Sequence, residues 1–185
     1  KVHYTREEDV FIPLKDRTKF ANDNNGKIFL SIHANAHNNR TIHGFETYLL
    51  SPGKSEDAVA LAARENAVIQ FEEKNDNYNN LTGEGLIMAT MAQSMFMKES
   101  EDLASIIQME MGKRLTSKNR GVKQAGFYVL IGASMPCVLI EFGFLSNAKE
   151  EKSLKKATHR QRIAQSIYEA IIRFKKSKEK LLAEE

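Results

Sequence analysis

His33 ends the run Phe29-Leu30-Ser31-Ile32-His33, and Glu141 ends Val138-Leu139-Ile140-Glu141. An imidazole at the carboxyl end of an apolar strand sits where open α/β sheets place their ligands. A carboxylate ending such a run is costly unless it is paired, metal-bound or catalytic. Brought to one sheet edge, the two suit metal-assisted hydrolysis, with the imidazole as a zinc ligand and the carboxylate taking a proton from water. Taken singly, His33 also fits a histidine that only bonds its own loop, and Glu141 an exposed strand end. Asn35, beside His33, fits either a polar contact to substrate or a loop cap. His3, His37, His43 and His159 share no spacing of a helical metal pair and are expected to be structural or solvated.

The elements that must carry these groups alternate between strand and helix periods, which predicts an α/β domain. The expected fold is a mixed, mostly parallel twisted sheet with helices on both faces and a helical insert between strands. Strands are predicted over residues 1–4, 27–33, 44–50, 126–131 and 137–141, with a polar surface crossing over 116–124. Helices are predicted from Pro13 to about residue 21, over 55–72 with Ser55 as its cap, and over 84–115 with a break near 98–100. Two more follow, from Lys149 and from Thr158 to about Lys178. A loop is expected over 75–83. In the 84–115 stretch Leu86, Met88, Met91 and Met95, then Leu103, Ile106, Ile107 and Met111, are the expected packing residues, and Ile163, Ile167, Ile171 and Phe174 form one stripe of the last helix.

At 185 residues, 42% hydrophobic and 28% charged, the chain is long enough for one domain with a sizeable core. Its net charge of +3 is small and dispersed, so nucleic acid is not an expected partner. Cys137, the single cysteine, excludes an intrachain disulfide. No apolar run approaches the roughly 18 residues of a membrane-spanning helix.

At these segments the sequence resembles the zinc-dependent N-acetylmuramoyl-L-alanine amidases typified by bacterial cell-division amidases. The resemblance runs through Thr5 to Asp9, Ile12-Pro13-Leu14, Arg17, Ala21-Asn22, Ser31 to Ala36, and Gly44-Phe45-Glu46-Thr47-Tyr48. It continues through Val122 to Leu130 and Pro136 to Asn147. It implies one zinc per domain, held by two histidines and a glutamate, with a further glutamate beside the attacking water. His33 matches the second histidine and Glu141 the catalytic glutamate. The first histidine, in a Gly-His-Gly-Gly turn, and the ligand glutamate are expected before Lys1. The sequence, with the first strand and helix of the fold, is therefore expected to be truncated at its N-terminus.

The same resemblance implies that the helical stretch 55–117 is an autoinhibitory insert. Glu65 would be an inhibitory ligand on the metal until an activator protein displaces the helix; Arg64 and Glu65 also fit an ordinary solvated helix face. The implied activity is hydrolysis of the amide joining N-acetylmuramic acid to L-alanine in peptidoglycan, for wall remodelling and daughter-cell separation, in the periplasm or cell envelope. Two other readings stay open: a catalytically silent module that binds peptidoglycan or a regulator, and a related zinc carboxypeptidase.

Overall fold

In a computed structural model, residues 1–72, 84–92 and 94–184 are described. The expected loop over 75–83 lies outside the described residues. Helices α1 (Leu14–Asp23), α2 (Glu56–Asn66), α3 (Glu84–Ala92), α4 (Met97–Arg114), α5 (Ala148–Leu154) and α6 (Ala157–Glu184) accompany strands β1 (Phe29–Asn35), β2 (Phe45–Leu50), β3 (Asn119–Ala125) and β4 (Cys137–Phe144). Among the described residues no helix is long and apolar enough to cross a membrane.

The strands form one sheet in the order β1-β4-β2-β3. Phe29 N–H donates to Pro136 O at 2.9 Å and Leu145 N–H to Asn35 O at 2.7 Å, so β1 and β4 advance together. Phe45 N–H to Lys118 O at 2.9 Å and Ser51 N–H to Ala125 O at 3.3 Å show the same for β2 and β3. β2 and β4 are antiparallel, with Glu46 opposite Glu141 and Tyr48 opposite Leu139. The sheet is thus mixed and mostly parallel. Every residue of β2 is buried, although its sequence suggests alternation, because β2 is an interior strand.

Several expectations are corrected. Residues 1–4 carry no strand. The segment read as a surface crossing contains β3, whose polar sequence suits the end of a sheet, where only one side of the backbone ladder is used. The apolar run after it is not a strand: Phe127 to Ile131 turns through a 3-10 segment at Tyr128–Leu130. Asn66 fixes that turn by donating from Nδ2 to Gly126 O at 2.8 Å and accepting Tyr128 N–H at 2.9 Å. β1 and β4 run two and three residues past His33 and Glu141, so both residues lie inside strands, near their carboxyl ends.

Ser55 caps α2, accepting Ala58 N–H at 3.3 Å, and the expected single helix continues only as a 3-10 segment at Ala67–Phe71. Within the 84–115 stretch the break falls at a 3-10 segment, Ser94–Phe96, ahead of the expected 98–100. Met88, Met91 and Met95 are 67%, 63% and 81% exposed, so the packing expected of them is not found. Leu103, Ile107 and Met111 are fully buried as expected.

By internal packing the chain divides into two compact units. The first comprises 1–31, 49–100 and 124–138; the second comprises 32–48, 101–123 and 139–185. In the first, Leu14 N–H at the start of α1 donates to buried Glu72 Oε1 at 2.9 Å, satisfying one orphan donor of the helix end. Thr18 hydroxyl donates to Ile131 O at 3.0 Å, holding α1 to the 3-10 turn. In the second, Phe45, Leu139, Ile140 and Phe144 are buried, as are Ile163, Ile167 and Phe174 of the expected stripe, whereas Ile171 is only half-buried and Ala170 takes the interior place.

Also in the second unit, Glu110 of α4 receives Lys113 at 2.6 Å, Arg114 at 2.8 Å and Arg173 of α6 at 3.4 Å. The hydrogen bonds from Lys113 and Arg114 hold its carboxyl down from 4.5 to about 2. The unfolded chain then binds the extra proton first, so this contribution is complete above about pH 4.5 and is lost as pH falls toward about 2. Glu110→Gln is expected to melt at a lower temperature than wild type at pH 6, with the gap closing by pH 2. A gap that does not shrink in thermal melts across that range contradicts this role.

Candidate metal and proton-transfer site

β1 and β4 are parallel neighbours, so His33 and Glu141 come to the same end of the sheet. A ring nitrogen of His33 and a carboxylate oxygen of Glu141 lie within 4.8 Å of one another. His33 is half-buried, and Glu141 is 0% exposed, so the expectation of an exposed strand end does not hold. The pair therefore offers one nitrogen ligand on a half-buried residue beside a carboxylate removed from bulk water, an arrangement suited to proton transfer next to a cation.

A second buried carboxylate supports the first. Glu46, opposite Glu141, receives four donors: Asn35 Nδ2 at 3.0 Å and Tyr48 hydroxyl at 2.8 Å on Oε1, with Arg120 Nε at 3.0 Å and Lys123 Nζ at 2.5 Å on Oε2. Burial first, then the charge of Glu46 and its hydrogen bond, push the Tyr48 hydroxyl far above the usual tyrosine range, so it stays a donor. Arg120 also sits over the Phe144 ring, 5.5 Å from its centroid. Strict alternation would put Arg120 and Lys123 on opposite faces of β3. Both nevertheless meet one oxygen, because Gly121 between them has φ +82°, a left-handed conformation that interrupts the alternation as a bulge does.

The turns around this end are tied by side chains. Glu150, in the first turn of α5, accepts Gly44 N–H at 3.0 Å, Phe144 N–H at 2.8 Å and the Ser117 hydroxyl. Asn147 caps the same helix through Glu150 N–H at 3.2 Å. Gly44, at φ +121°, must be glycine: a Cβ there would lie 2.2 Å from Lys118 O.

Asn35 is buried, with its amide given to Glu46 and its backbone oxygen to Leu145 N–H. Glu65 lies near the end of α2 in the first unit, half-buried, 3.8 Å from Arg64. The remaining histidines stay outside the pair. His37 Nδ1 accepts Asn39 N–H, His43 Nδ1 is 3.0 Å from Thr41 O, His3 meets the Phe20 ring edge-on, and His159 is in α6 with its pKa lowered by burial. The sequence signal for Glu46 is that it interrupts an otherwise strand-forming run, as Glu141 does.

A family model described as N-acetylmuramoyl-L-alanine amidase matches residues 1–173. The chain is 35% identical over 176 residues to N-acetylmuramoyl-L-alanine amidase AmiC of Escherichia coli O6:H1, covering 92% of this chain and 41% of that protein. It thus spans less than half the length of that relative. Its fold is similar to the crystal structure of an N-acetylmuramoyl-L-alanine amidase from Clostridium difficile 630, at TM-score 0.65 and 25% identity, over 94% of this chain and 71% of the other. It is also similar to the CwlD amidase of Clostridioides difficile, solved in complex with the GerS lipoprotein, at TM-score 0.59 and 28% identity, over 89% of this chain and 62% of that one. With the match extending through both strands that carry His33 and Glu141, the chain belongs to the N-acetylmuramoyl-L-alanine amidase family.

Proposed function

We propose that this chain, residues 1–185 as one catalytic domain, hydrolyses the amide between N-acetylmuramic acid and L-alanine of peptidoglycan. The proximity of His33 and Glu141 at one end of the sheet, in a chain of this family, carries the reading. The donor set suits zinc: His33 would hold the ion through a ring nitrogen, and borderline-soft zinc favours such a donor. A bound zinc ion supplies Lewis acidity to the amide carbonyl and acidity to water. Glu141 accepts the proton of the attacking water and returns it to the departing amine of L-alanine. Its burial shields that proton from bulk exchange.

The products are free stem peptide and intact glycan. The place of such a reaction is the periplasm or cell envelope, and its use is wall remodelling and daughter-cell separation. Glu65 is proposed as an inhibitory ligand of the same ion, carried by α2 within the helical stretch 55–117. Supporting this are the family relationship and the half-buried setting of its carboxylate. An activator protein that moves the helix would then switch the enzyme on; the CwlD amidase, a structural relative, is itself found with a partner protein.

In the full-length protein, Glu141→Gln is expected to lower stem-peptide release by about 100-fold or more, the scale of a lost general base, with zinc content unchanged. Mass analysis of digested peptidoglycan and metal analysis check both halves; near-normal release by the variant sinks the assignment of Glu141. Glu65→Ala is expected to raise basal release several-fold in the absence of any activator. An unchanged basal rate would count against the inhibitory role.

A further inference from the structure

Glu46 and Glu141 face each other across the antiparallel β2 and β4, which places both side chains on one face with Cβ atoms roughly 5 Å apart. Two cations reach the same face from β3, Arg120 and Lys123, and both are ion-paired with Glu46 Oε2. Tyr48 and Asn35 hold the other oxygen, so the carboxylate of Glu46 is gripped at both ends and its side chain is 3% exposed. Charge gives this grip a second meaning. Two half-buried cations beside two buried carboxylates could pair in more than one way, and a direct pair between Glu141 and either cation would occupy the atoms that must receive a proton.

We propose that Glu46 is a positioning residue for the hydrolytic reaction: it retains Arg120 and Lys123 as its own partners and thereby keeps both cations off Glu141. The inference rests on the reading of Glu141 as the proton carrier. Gly121 is part of the device, since its left-handed conformation delivers both cations to one carboxylate. Tyr48 and Asn35 complete it by fixing the oxygen that the cations leave open. Glu46 acts through Glu141.

The test uses the full-length protein. In a crystal structure of Glu46→Gln, Arg120 or Lys123 should have moved into an ion pair with Glu141. kcat for stem-peptide release should fall at least about tenfold, on the scale of a compromised general base, with KM and zinc content unchanged. Glu46→Gln combined with Lys123→Gln or Arg120→Gln, whichever removes the cation that has moved, should recover part of that loss. A simple brace predicts the reverse, with the double variant at least as impaired as the single one. The proposal is overturned if both cations keep their places in Glu46→Gln, or if the double variant shows no recovery.

Should Glu46→Gln not fold, Glu46→Asp keeps the charge and decides the matter. It should hold both cations and most of kcat, and a protein with the cations in place but kcat lost contradicts the proposal. If wild type releases no stem peptide at all, the amidase reading fails, while the side-chain positions in the variant still test Glu46.

Discussion

Two carboxylates placed opposite one another in the interior of a sheet are the constraint around which the second unit is organised. Like charges across an antiparallel pair repel, and each carboxylate also loses its hydration. Glu46 meets that problem with a full set of donors, two of them cationic, drawn from β1, β2 and β3. Removing one partner of such a buried pair typically costs about 3–5 kcal/mol, so the four donors are bound to one another through a single acceptor. The strand that carries the cations is the polar one, and its polarity follows from this duty as much as from its position in the sheet.

The same economy appears at the chain reversals. Asn66 closes the turn after β3 with one amide used in both directions, Glu72 caps α1 from the far side of α2, and Glu150 gathers the start of β2 and the end of β4. Each replaces a missing backbone partner with a side-chain oxygen or amide. None of these residues lies in a regular capping pattern with the segment it serves, and each acts across 6 to 106 positions of sequence.

That distance explains what the sequence could and could not disclose. β1, β4 and α6 were legible because their apolar runs or stripes are local properties, and Ser55 was legible as a cap because its partner is three residues away. β3 was not, since only pairing to β2 makes Asn119–Ala125 a strand, and the apolar Gly126 to Ile131 has a strand-like pattern that Asn66, some sixty residues earlier, overrides by turning it. His33 and Glu141 could be named from burial cost and position. Their meeting depends on β1 and β4 being parallel neighbours, which no local pattern encodes. Glu46 obeyed the same burial rule as Glu141 but needed its four distant donors to be recognised.

Gly121 has one more effect, on what the molecule does with its neighbours in solution. β3 ends the sheet on its side among the described residues, and a straight end strand offers an unused row of amides and carbonyls on which a second chain can add. The left-handed glycine interrupts that row two residues into the strand, and the cations turned inward beside it deny an incoming strand a flat surface. A feature that directs charge toward the interior thereby also protects the sheet from edge-to-edge aggregation.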